Sequence, residues 1–232
     1  MPKDQHFLVD SKILEKICSY AKLRKDEKVL EIGAGTGNLT EKLLKAGVFV
    51  FAIEKDQLLL DKLRKRFLNE KNLMLIGGDA LKLNFPKVDK IVSSLPFSIS
   101  RKITEKLLMH KFKLAILVYQ KEFAEKLIAK TNSKRYKFIS ALTQSCAEIE
   151  ILSKIPNEAF IPMPKVSCVI VKIKQNSVAG KKYIEFLHLL FNHRNKKIEQ
   201  TLKVKLPENF SGKRVFELSP SELTQIYKEF YT

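Results

Sequence analysis

Four apolar runs in this chain each end in residues able to hold or polarise a ligand. The most distinctive is Ile91-Val92-Ser93-Ser94, which passes into Leu95-Pro96-Phe97. A β-branched run ending in a small hydroxyl, a proline and an aromatic reads as a buried strand with an acceptor and a stacking surface at its tip. The proline fixes the turn and has no amide donor, leaving the preceding carbonyl free to face outward. Such a tip can hold a planar, amine-bearing ring and draw on its nitrogen. The run Val29–Ile32 contains Glu31 and opens into Gly33-Ala34-Gly35-Thr36-Gly37, whose glycines let a backbone come within contact distance of a ligand. Val48–Ile53 ends in Glu54, a carboxylate placed to accept both hydroxyls of a ribose. Leu73–Ile76 is followed by Gly77-Gly78-Asp79, and Asp79 is a candidate acceptor for a ring amine.

These tips need a scaffold that brings strand ends together. Between them the pattern turns helical at about Ser11–Leu23, after the glycines through about Ala46, and at about Asp56–Leu68 and Ser100–His110, and a further strand follows at Leu114–Tyr119. Strands and helices alternate through the first 120 residues, with every polar tip after a strand. The expectation is an α/β fold with an open, mostly parallel sheet and an antiparallel end strand, binding its ligand at the carboxyl ends. Helices at about Lys121–Lys130 and Phe138–Ala147 flank the basic, aromatic connector Thr131–Tyr136, which reads equally as a substrate-facing loop or as plain surface. Ile149–Ile155 and Val166–Lys174 read as a hairpin-like pair with a long connection, and the tail from Lys181 is helical. A boundary near 177–180 divides the chain into residues 1–178, carrying the site, and a small helical unit, 179–232.

Composition narrows the partners. Forty-five per cent apolar and 29% charged residues make a globular chain, not a disordered one. The net charge of +18, from 43 basic and 25 acidic side chains, points to a polyanion, nucleic acid ahead of membrane. Three cysteines, Cys18, Cys146 and Cys168, are odd in number and lack metal spacing, and four scattered histidines make no ligand set. They read as reduced thiols of a cytoplasmic protein. No apolar run approaches the ~20 residues needed to span a bilayer.

Taken together, these residues resemble the S-adenosylmethionine-dependent methyltransferases, and more narrowly the family of small-subunit rRNA adenine dimethyltransferases. The likeness is collinear from Gln5 to about Lys197. It runs through Q-H-F-L (Gln5–Leu8), E-I-G-A-G-T-G-N-L-T (Glu31–Thr40), Glu54, G-D-A (Gly78–Ala80) and L-P-F (Leu95–Phe97). F-I-P-M-P-K-V-S (Phe160–Ser167) and L-F-N-H-R (Leu190–Arg194) complete it. The resemblance implies a Rossmann-like class I sheet and a cofactor site of Gln5, His6, Leu8, Glu31, Gly33, Gly35, Glu54 and Asp79, with Ser94 at its edge. Gly33 and its neighbours would line the methionine moiety, Glu54 the ribose and Asp79 the adenine. The chain departs from the family at Ser94, where asparagine is usual; a serine hydroxyl also accepts, with shorter reach.

The implied reaction is direct transfer to the exocyclic amine of an adenosine flipped out of its stack. Ser94 and the Leu95 carbonyl would accept from that amine at the Pro96 turn. Phe97 would stack on one face of the base, and Phe160 would close over the other. Arg101, Lys102, Lys134, Arg135, Arg194, Lys196 and Lys197 would grip phosphates. The implied partner is small-subunit rRNA, within an immature ribosomal subunit, met by a monomer. The competing readings are a large-subunit rRNA adenine methyltransferase of the resistance type and a non-catalytic assembly factor. A dinucleotide oxidoreductase ranks lowest, because G-x-G-x-G is not G-x-G-x-x-G.

Overall fold

The computed structural model describes residues 5–231. Nine strands are present among them: β1 (Phe7–Leu8), β2 (Lys28–Ile32), β3 (Phe49–Glu54), β4 (Leu73–Gly77), β5 (Lys90–Ser94), β6 (Leu114–Gln120), β7 (Ala147–Ile155), β8 (Phe160–Ile161) and β9 (Cys168–Gln175). Seven form one sheet in the order β4-β3-β2-β5-β6-β9-β7, and β1 pairs with β8 as a separate ribbon. Strands β2 to β6 are mutually parallel where they adjoin, and β9 runs antiparallel to both its neighbours. The expected antiparallel strand therefore lies one place in from the edge. The chain runs outward along β7 and returns into the gap beside β6.

Alternation along the strands assigns each residue to a face. Val29, Val50, Val92, Ile116 and Ile170 face one apolar cluster, joined by Leu14 and Ile17 of α1 (Ser11–Ala21), Leu43 of α2 (Asn38–Lys45) and Leu63 of α3 (Gln57–Arg66). Their chain neighbours Leu30, Ile91, Leu117 and Val169 face the other. There they meet α4 (Ser100–Leu108), α5 (Lys121–Leu127), α6 (Phe138–Cys146) and the tail helices. Covering both faces is what makes a parallel sheet with continuous apolar strands stable. Asp10 caps α1 by accepting from the Ile13 amide, and Asp56 caps α3 through Leu58 and Leu59.

The tail consists of α7 (Lys181–Asn192), α8 (Ile198–Leu202) and α9 (Pro220–Phe230). Phe186, Leu187, Leu190, Leu223 and Ile226 are buried in the same cluster as Leu107, Ile139 and Leu142. The connector at 131–136 fastens the tail: the Asn132 amide donates to the Phe216 carbonyl at 3.0 Å and the Tyr136 hydroxyl to the Leu218 carbonyl at 3.0 Å. Tyr136 is fully buried, so this stretch is a clasp, with Asn132, Lys134 and Arg135 exposed along it.

The strand order reverses between β2 and β5, since β3 and β4 continue one way and β5 and β6 the other. Such a switch point opens a crevice at the carboxyl ends. Here β2 and β5 pair only at Val29↔Lys90 and Leu30↔Ile91. Beyond that register the Ser93 hydroxyl takes over: it donates to the Ile32 carbonyl at 2.6 Å and receives the Ile32 amide at 3.3 Å. The strands can diverge there with the Ile32 amide and carbonyl still paired.

Candidate active site

A cleft of about 420 Å³ opens at this switch point, with Gly33, Glu54, Asp79 and Pro96 in its walls. Two smaller hollows adjoin it across Gly33. One, of about 70 Å³, holds Ser94, Leu95, Pro96 and Phe97; the other, of about 40 Å³, holds Leu8, Glu31, Gly35 and Ser94. Gln5 lines the first two cavities and His6 both hollows. All nine residues expected at a cofactor site are thus brought together, as are four of the five expected at the reacting amine.

Gly33 and Gly35 hold positive φ, +76° and +57°, in the turn after β2. A Cβ on Gly35 would stand 2.9 Å from the Phe7 ring, and one on Gly33 would stand 3.2 Å from Pro96. The loop is consequently bare backbone pressed between two walls. Glu54 pins it: one carboxylate oxygen receives the Gly35 amide at 2.8 Å and the other the Asp56 amide at 2.9 Å. Each oxygen retains a second lone pair for a ligand. Asp79 receives the Leu81 amide at 2.9 Å and the Lys55 ammonium at 3.2 Å, and these hold its carboxyl below the usual range. The Asn38 side chain donates to the Leu8 carbonyl at 3.1 Å and fixes the N-terminal segment over the loop. Bare glycines, a carboxylate for a diol and another for an amine suit the donor and acceptor set of an adenosyl cofactor.

Glu31 is buried, and its carboxyl is pushed up to about 8 by that burial, while Thr40 donates to it at 2.6 Å and opposes the shift. The folded form therefore keeps a proton that the unfolded chain gives up above its ordinary pKa of 4.5. Stability from this group is complete below that value and drains away as pH rises towards 8. Glu31→Gln should remove this slope, which is worth about 1.4 kcal/mol per pH unit within the window. Thermal unfolding of both proteins from pH 5 to pH 8 tests this. Parallel curves would mean that Glu31 is already ionised in the fold.

The Ser94 hydroxyl has no hydrogen-bond partner among the described residues, and it stands at the end of β5, held by pairing with Val118. Pro96 begins a 3₁₀ turn, Phe97–Ile99, leading into α4. Phe97 is half-buried and stacks with His6 at 5.6 Å between centroids. His6 Nδ1 lies 2.7 Å from the Pro162 carbonyl, which ties the β1–β8 ribbon to the acceptor tip.

Two expectations need correction. Phe160 is 2% exposed and lines none of the three cavities. It pairs with Leu8, and paired residues of an antiparallel ribbon share a face, so Phe160 follows Leu8 into the core. Arg194 is not free to meet a phosphate: it lies 5.2 Å over Phe216, its Nε is buried, and it reaches the Ser133 carbonyl at 3.4 Å. Its place is in the clasp. Lys102, Lys134, Lys196 and Lys197 are exposed, as are Arg101, 5.5 Å over Phe138, and Arg135, ion-paired with Glu125 at 2.7 Å. Lys55, Asp56, Ser98 and Ile99 also line the main cleft and were missed, although each adjoins or nearly adjoins a recognised motif.

The three cysteines carry no disulfide, and burial raises all three thiols, Cys18 and Cys168 to about 11. No helix among the described residues is long and apolar enough to cross a membrane.

The chain matches the family model described as "Ribosomal RNA adenine dimethylase" over residues 3–229. A protein named "Probable ribosomal RNA small subunit methyltransferase A" from Methanosarcina barkeri is 42% identical, over 96% of this chain and 85% of the relative. One of the same name from Pyrococcus abyssi is 35% identical, over 96% and 88%. Among solved structures, a dimethyladenosine transferase from Plasmodium falciparum superposes with a TM-score of 0.84 at 29% identity, covering 97% of each chain. The 23S rRNA methyltransferase ErmE gives 0.73 at 25%, covering 96% of this chain and 98% of its own.

Proposed function

Because the chain belongs to the ribosomal RNA adenine dimethylase family, we propose that it dimethylates two adjacent adenosines near the 3′ end of small-subunit rRNA, as a cytoplasmic monomer acting on an immature subunit. It is an S-adenosylmethionine-dependent methyltransferase of ribosomal RNA. The observation that carries the finer reading is a juxtaposition. The Ser94 hydroxyl, without a hydrogen-bond partner among the described residues, and the carboxylates Glu54 and Asp79 line cavities that meet at Gly33.

In this reading Glu54 takes the ribose diol, Asp79 the adenine amine, and Gly33, Gly35, His6 and Leu8 surround the methionine end. When bound, S-adenosylmethionine supplies an electrophilic methyl group on a cationic sulfur. Ser94 and the Leu95 carbonyl orient the target amine by accepting its hydrogens, so that its lone pair points toward the cofactor. Phe97 stacks against the base, a contact of ~1–3 kcal/mol. Orientation at this level replaces a strong general base. Arg101, Lys102, Lys134, Arg135, Lys196 and Lys197 contact phosphates, which makes affinity fall with salt. The tail, clasped to the catalytic unit, carries part of this basic surface.

The test is transfer from labelled S-adenosylmethionine to small ribosomal subunits lacking the modification, followed by digestion to nucleosides. Dimethyladenosine in small-subunit rRNA is the expected product. Label appearing only in large-subunit rRNA would favour the resistance-type activity. Cofactor binding without product would favour an assembly factor that retains the fold.

A further inference from the structure

With Phe160 turned into the core, the F-I-P-M-P-K-V-S block presents other side chains outward. On the β1–β8 ribbon the pair Leu8↔Phe160 faces the core, so the other pair, Phe7↔Ile161, faces the opposite way. Phe7 leans on Gly35 and lines both hollows, which sets Ile161 on the cleft side. Ile161 is 62% exposed and Met163 57% exposed, although both are large and apolar. Their exposure is not a loose end. Phe160 and Pro164 on either side are buried, His6 holds the Pro162 carbonyl, and the Asn157 side chain holds the Pro164 carbonyl at 3.0 Å. The block is thus a held mount, tied to the site through His6, that keeps Ile161, Met163 and, less fully, Val166 in water, with Lys165 exposed among them.

We infer that Ile161 and Met163 form a platform for the nucleobase next to the flipped adenosine. This rests on the reading of the cleft as an adenosine site. Extruding one nucleotide uncovers a face of its neighbour, and an apolar surface at the rim re-covers it. The thioether of Met163 is soft and adaptable, suited to a ring of either kind. Lys165 supplies the charge for the phosphate that joins the two nucleotides, in keeping with a chain of net charge +18. The platform therefore acts on RNA and not on the cofactor.

The experiment compares wild type, Ile161→Ser/Met163→Ser and Ile161→Leu/Met163→Leu in methyl transfer to unmethylated small subunits. It also maps the cross-link formed by Met163→p-benzoylphenylalanine on the same subunits. The serine pair should raise KM for subunits about tenfold, in line with the loss of one stacked base. Cofactor affinity and Tm should stay at wild-type values, and the leucine pair should retain the wild-type KM. The cross-link should fall on the nucleotide beside the methylated adenosine. An unchanged KM in the serine pair, a parallel loss of cofactor affinity, or a cross-link to a ribosomal protein would each overturn the inference. If wild type itself methylates no adenosine, the adenosine reading falls, and the platform with it.

Discussion

Ser94→Ala is expected to slow methyl transfer about a hundredfold, the scale on which a single preorganised polar group at a reacting centre acts. The hydroxyl it removes has no protein partner among the described residues, so the loss falls on the substrate and not on the fold. Its strand is fixed by the β5–β6 register and by the Ser93 bridge to Ile32, so the remaining backbone should not move. Cofactor affinity should change by no more than about threefold, because Glu54 and Asp79, the proposed ribose and adenine acceptors, are untouched. Ser94→Asn supplies a longer acceptor and should preserve or raise the rate. Single-turnover transfer with saturating cofactor, alongside calorimetric titration, separates the two quantities. An alanine variant as fast as wild type would remove Ser94 from the chemistry.

Glu54→Gln should weaken S-adenosylmethionine binding by at least about a hundredfold. The carboxylate serves two amide donors at once, Gly35 and Asp56. An amide side chain offers one acceptor oxygen, so its NH₂ group must face one of those donors. A buried donor left unmet costs ~1–3 kcal/mol, and a hydrogen bond to a charged group contributes ~1.5–3. The glycine turn would loosen at the point where the ligand meets bare backbone, and the diol would lose its anionic acceptor as well. Titration calorimetry measures the affinity. Binding at wild-type strength would show that the ribose is held elsewhere.

The sheet was largely readable because strand and helix periods differ, and because glycines at alternate positions mark a turn with positive φ. The carboxylates at strand ends followed from the same logic, since only the tips of a parallel sheet escape burial. What could not be read depends on partners distant in sequence. The side to which Phe160 turns is set by pairing with Leu8, more than 150 residues away. Nothing local distinguishes a phosphate-gripping arginine from one stacked on Phe216, as Arg194 is. Two consecutive serines in a strand hint that one lies inward. That Ser93 bridges two strands emerges only when β5 is seen to pair with β2 across the reversal.

The pairing of β1 with β8 also has a temporal meaning. Phe7 and Leu8 are made about 150 residues before their partners Phe160 and Ile161, with the whole parallel half of the sheet between them. At ~5–20 residues per second that interval is roughly 8–30 s. Throughout it His6 lacks the Pro162 carbonyl, and Phe7 and Leu8 lack their strand partners. A nascent chain halted before residue 160 would carry Glu31, Glu54 and Asp79 without the strand that pairs with Phe7 and Leu8. The ribbon that backs the pocket is thus completed only after every strand of the parallel half has been made.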